Sequence, residues 1–125
     1  MPSLRILVTG GRDYSDTATV VYWLGAAAAQ YGDGKDGVTL VHGGARGADR
    51  LAAEIARHSG WRTEAHRAEW EKYGPAAGPY RNEDMVANGA DVCVAFPGGR
   101  GTEHCTRLAR EAGIPVIEVP EPEEA

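Results

Sequence analysis

The eight residues Ala95–Thr102, read AFPGGRGT, carry the densest chemical signal in the chain. A short apolar run precedes them, and a helix-like segment starts near Thr102. Glycines let a ligand approach the backbone closely, and the first N–H groups of a helix have no internal acceptor. Together they make a seat for an anion, to which Arg100 adds a fixed positive charge with a forked donor set. The device recurs twice. VTGGRDY at Val8–Tyr14 sets Gly10, Gly11 and Arg12 after an apolar run, and VHGGARGAD at Val41–Asp49 does the same with Gly43, Gly44, Arg46 and Asp49. With Pro97, Gly98, Gly99, Gly101 and Thr102, these residues predict one shared phosphate-binding crevice.

Two common phosphate motifs are excluded. No GxxxxGK[ST] is present, so the chain is not a Walker-type NTPase. TGGRDY offers no third glycine for a GxGxxG turn, which argues against a nicotinamide dehydrogenase.

The glycine loops need elements to hold them. Leu4–Thr9, Val38–His42 and Asp91–Ala95 are short apolar runs, each ending at a loop, and read as buried strands. Arg62–His66 is a weaker strand that suits a sheet edge, and Pro115–Val119 is a fifth. Between them lie helical patterns. Val20, Trp23, Leu24, Ala27, Ala28 and Tyr31 share one face, with Ser15 or Asp16 as cap; Ala48, Leu51, Ala52, Ile55 and Ala56 share another. Pro79 suits the first turn of a helix running to about Asn88, and Thr102–Ala112 makes the last helix. Ala68–Gly78 is the least regular stretch. Strands alternating with helices predict an α/β, Rossmann-like three-layer fold: about five parallel strands, order 3-2-1-4-5, helices on both faces. Ligands of such sheets bind beyond the carboxyl ends of the strands, where all three glycine loops fall.

Composition bounds the rest. A chain of 125 residues suits a single domain, assigned here to 1–119, followed by an acidic tail at 120–125. The net charge is −5, but Glu121, Glu123 and Glu124 of the tail account for three of the negatives. The body is nearly neutral, which argues against a nucleic-acid partner. Cys93 and Cys105 have no metal or disulfide spacing and read as reduced core thiols of a cytoplasmic protein. No apolar run is long enough for a membrane span, and no signal peptide is visible. Neither a metal nor a cofactor is expected.

VTGGRDY, VHGGARGADRLA, AGPYRNEDM and AFPGGRGT, in this order, resemble the SLOG superfamily, in particular its small YspA/cpYpsA-related branch, found in actinobacteria and their phages. The likeness runs from Leu4 to about Val119. It implies a Rossmann-like sheet and a pocket for a nucleotide or nucleotide derivative such as AMP or ADP-ribose, with PGGRGT around its phosphate. It also implies a homo-oligomer. Relatives include the LONELY GUY phosphoribohydrolases and the DNA-processing protein DprA, so two alternatives stand beside simple binding: N-glycosidic hydrolysis of a nucleoside 5′-monophosphate, and a nucleic-acid-associated module.

For hydrolysis the resemblance supplies two catalytic positions. Arg81 of GPYRNEDM matches an essential arginine, read as lying in the first turn of its helix, where Glu83, Asp84 or a ligand phosphate would offset its charge. The glutamate of the family pattern PGGxGTxxE falls at Cys105, and a thiol lacks the negative charge that steadies an oxocarbenium-like state. Glu103 is the candidate substitute, although it lies about 200° around the helix from Cys105. Asn82 could contact a sugar or base. Asp49 could cap its helix, hold Arg46 or meet a ribose hydroxyl. Trp70 and Tyr73 could stack on a base or simply cover the sheet. His42 reads as a satisfied strand-end histidine, and His58, His66 and His104 show no paired partner.

Overall fold

A computed structural model describes Pro2–Pro122. Of the acidic tail, positions 123–125 lie outside the described residues. Five strands, β1 (Leu4–Thr9), β2 (Val38–His42), β3 (Arg62–Ala65), β4 (Val92–Ala95) and β5 (Val116–Glu118), form one parallel sheet in the order β3-β2-β1-β4-β5. β1 pairs with β2 from Leu4↔Val38 to Leu7↔Val41, and with β4 from Ile6↔Val92 to Thr9↔Ala95. This is the expected α/β, Rossmann-like arrangement.

The two faces follow from strand alternation. Leu4, Ile6 and Val8 point to one side, where they meet α1 (Thr17–Tyr31) and α2 (Ala48–His58) through Val20, Leu24, Ala27, Ala52 and Ala56. Leu7 points to the other, packing with Val41, Cys93, Met85 of α4 (Ala77–Ala87) and Cys105 and Ala109 of α5 (Arg100–Glu111). All of these side chains are 2% exposed or less, so both layers are sealed against water. Asp16 caps α1, its Oδ1 accepting from the Thr19 N–H at 3.1 Å.

β3, β4 and β5 are each shorter by one or two residues than the sequence reading, and three helical stretches differ from it. α5 starts at Arg100 rather than Thr102. A helix tolerates glycine in its first turn, where the N–H groups need no internal partner, so Gly101 does not delay the start. α4 starts at Ala77 rather than Pro79, and Pro79 occupies the third helical position, where a missing N–H is equally harmless. The irregular stretch 68–78 holds a one-turn helix, α3 (Trp70–Tyr73), a 3₁₀ turn (Gly74–Ala76) and the first two residues of α4. Among the described residues no helix is long and apolar enough to cross a membrane.

Candidate functional site

Because the sheet is parallel, the loops after β1, β2 and β4 emerge at one edge. Gly11 ties them together. Its N–H donates to the Pro97 carbonyl at 2.9 Å, and its own carbonyl accepts from the Ala48 N–H at 3.1 Å. Such contact needs bare backbone. A Cβ on Gly98 would collide with the Thr102 hydroxyl and approach the Gly11 nitrogen at 2.7 Å. Gly47, at φ +80°, lies against the carbonyls of Gly11 and Arg12, a conformation that side chains rarely adopt.

The loops enclose a crevice of about 570 Å³. Its floor is Val8, Thr9, Gly10 and Gly11; one wall is the start of α5, Gly99–Thr102 and His104; the other is Trp70 with Gly78, Pro79, Arg81, Asn82 and Met85 of α4. Arg12, Ala45 and Asp49 complete it. The first turn of α5 has no side-chain cap, which leaves its N–H groups available to an anion. A smaller hollow of about 290 Å³ adjoins it, lined by Gly43, Gly44, Arg46, Arg67 and Ala68, and sharing Arg12, Ala45, Trp70 and Arg81.

Arg81 is the fifth residue of α4, not a first-turn residue as the sequence suggested. Its partners are neutral: Nη1 donates to the Gly43 carbonyl at 2.8 Å and Nε to Asn82 Oδ1 at 2.9 Å. Glu83 and Asp84 form no ion pair with it. Asn82, 4% exposed, extends the chain of contacts, its Nδ2 lying 3.2 Å from the Gly101 carbonyl and 3.1 Å from His104 Nδ1. With Oδ1 already accepting from Arg81, Nδ2 is the donor to His104. The network links the β2 loop to the start of α5 across the crevice wall.

Asp49 is 6% exposed, and its Oδ2 accepts from the N–H groups of Gly43 at 3.0 Å and Ala45 at 3.4 Å. Burial pushes its carboxyl up to about 6, against the pull of those donors and the charges of Arg81 and Arg12. It thus shapes the loop rather than pairing with Arg46, whose guanidinium reaches Asp13 at 3.3 Å on the surface. Arg12 lies over the Trp70 ring at 5.5 Å, a cation–π contact at the mouth of the crevice.

Other sequence candidates lie elsewhere. Tyr73 packs edge-on against Tyr80 at 4.9 Å and lines neither hollow. Glu103, Pro97 and Gly98 line a third depression, together with Thr106, Glu118 and Pro120. Cys105 is fully buried, and burial pushes its thiol up to about 11, so it carries no charge near neutrality.

Two of the histidines need correction, His66 and His104. His66 has a partner, Glu64 Oε2 at 2.8 Å, and His104 has Asn82. His42 Nδ1 accepts from the Gly44 N–H at 3.0 Å; burial, with Arg57 and Arg67 nearby, lowers its pKa. Two lining residues with ionisable side chains, His104 and Arg67, escaped the sequence reading. His104 shares a helical face with Gly101, three positions earlier, which would have flagged it; Arg67 follows a weak edge strand and carries no motif.

The family model described as "YspA, cpYpsA-related SLOG family" matches residues 4–73. The "Gene 61 protein" of Mycobacterium phage D29 is 50% identical over 120 residues, covering 90% of this chain and 94% of that protein. The chain therefore belongs to the YspA/cpYpsA-related family of the SLOG superfamily.

Proposed function

We propose that the protein binds a small phosphorylated nucleotide or nucleotide derivative in the 570 Å³ crevice. The observation that carries this reading is the meeting, in one cavity, of the uncapped start of α5 with Arg12, Arg81 and Arg100. The phosphate sits over Gly99–Thr102, and Trp70, a residue 48% exposed, offers its ring to the base. Calorimetry and thermal unfolding with AMP, ADP-ribose and cyclic nucleotides test it. A ligand held at 100 times its Kd stabilises the fold by about 2.7 kcal/mol. The reading fails if ligand-free protein responds to none of them.

A second reading, N-glycosidic hydrolysis of a nucleoside 5′-monophosphate, draws on one observation: Asp49 is a carboxyl group that lines the crevice with Arg81. A carboxylate there could steady an oxocarbenium-like transition state, whereas Glu103 faces a different depression. Release of free base from AMP, abolished by Asp49→Asn and kept by Glu103→Gln, is the expected pattern. An inert wild type removes this reading and leaves the first intact. The near-neutral body favours neither single- nor double-stranded nucleic acid. The homo-oligomer implied by the superfamily is tested by light scattering.

A further inference from the structure

We propose that the smaller hollow is a second anion subsite, and that the ligand is a nucleotide with two phosphate groups separated by its sugar, of the nucleoside 3′,5′-bisphosphate kind. This rests on the crevice being a nucleotide site. Four guanidinium groups, those of Arg12, Arg46, Arg67 and Arg81, line a space of about 290 Å³. Arg81 Nη1 holds the Gly43 carbonyl at 2.8 Å, and Arg67 lies along the next residue, its Cγ 3.0 Å from where a Cβ on Gly44 would stand. Two cations thus press against one dipeptide.

They are neutralised only in part: Asp49 interacts with the charges of Arg81 and Arg12 but makes no ion pair with either. Among the described residues, the only ion pair made by these four arginines is Arg46–Asp13, and the Asp13 side chain is 95% exposed. Asp49 has turned Oδ2 to backbone N–H groups. Like charges gathered around a cavity raise its positive potential and favour an anionic guest. Arginine suits phosphate in particular, through paired N–H donors.

Spacing selects the class of guest. The start of α5 follows β4 and the arginine hollow follows β2, and these strands flank β1. The two anion seats are therefore about two strand spacings apart, roughly 10 Å. Directly linked phosphates, as in a nucleoside diphosphate, are too close together to occupy both. A ribose between the phosphates gives the needed reach, and the arginine side chains close the remainder.

The experiment is calorimetry with AMP, ADP and adenosine 3′,5′-bisphosphate on wild type, Arg67→Ala and the exposed control Arg107→Ala. Adenosine 3′,5′-bisphosphate should bind wild type at least tenfold tighter than AMP, and ADP within threefold of AMP. Arg67→Ala should erase the bisphosphate advantage, and Arg107→Ala should preserve it. If AMP binds and the bisphosphate binds no tighter, the second subsite falls while the nucleotide reading survives. A bisphosphate advantage untouched by Arg67→Ala also overturns the assignment, as does ADP matching the bisphosphate. If none of the three binds, the second subsite falls, and the nucleotide reading then stands or falls on ADP-ribose and the cyclic nucleotides.

Discussion

Arg5 and Arg67 show two uses of the same side chain. Arg5, on β1, is held on several sides: Nη1 and Nη2 donate to the two oxygens of Glu64 at 3.0 and 2.9 Å, and Nε donates to the Gly89 carbonyl at 2.9 Å. His66 reaches the same carboxylate, and Asp91 accepts from the Arg5 backbone N–H at 2.8 Å. Here every charge is satisfied from within, as a structural ion pair must be when half-buried. Around Arg67 three further guanidinium groups share a hollow, with backbone carbonyls, a ring face and one exposed aspartate as partners. The first cluster spends its electrostatics on the fold. The second leaves positive potential at the edge of the sheet, which is what a binding site requires.

The strongest way to break this contrast is to dismantle the loop that carries the second cluster. Gly47→Ala puts a side chain at φ +80° against two carbonyl oxygens, so urea unfolding should show a loss of about 2–5 kcal/mol. Next comes Asp49. Its carboxyl titrates at about 6 in the fold against 3.8 unfolded, so the native state keeps a proton that the unfolded chain has lost. Stability should fall as pH climbs from about 4 to about 6 and level off above, by up to roughly 3 kcal/mol. In Asp49→Asn that slope should be missing in denaturation curves taken across this range.

A direct comparison of the two arginines is gentler. Arg5→Ala strands Glu64 and should cost about 1–2 kcal/mol, whereas Arg67→Ala removes a crowded charge and should move stability by no more than about 0.5 kcal/mol, toward greater stability. A similarly small effect belongs to Glu64 itself. Its bonds to Arg5, then to His66, hold its carboxyl down at about 2. That contribution is present above about pH 4.5 and fades as pH falls toward 2. Its side chain is 35% exposed, so solvent screening keeps the effect below about 1 kcal/mol, read as the difference in acid unfolding between wild type and Glu64→Gln.

The strands and the two-sided core were legible because buried parallel strands read as continuous apolar runs, and the helices show their 3.6-residue stripe. Strand order followed from the short connections and their fixed handedness. Helix starts at Ala77 and Arg100 were misread because glycine and proline, breakers inside a helix, are harmless in its first turn. The loops announced Gly10, Gly43 and Gly99 by composition. The same sequence could not reveal that Glu103 faces away from the crevice, that Asp49 turns its carboxylate to the N–H groups of Gly43 and Ala45, or that Arg67 reaches Gly44 across the sheet edge. Those depend on the rotation of each helix and on tertiary distance, which no local pattern encodes.

Trp70 gives the protein its own optical reporter. It stands half-exposed at the junction of both hollows with a guanidinium over its ring, whereas Trp23 and Trp61 are partly buried against the hydrophobic core. A guest that displaces Arg12 or stacks on the indole should change the emission of this one fluorophore and leave the other two as an internal reference, so occupancy can be followed without a label.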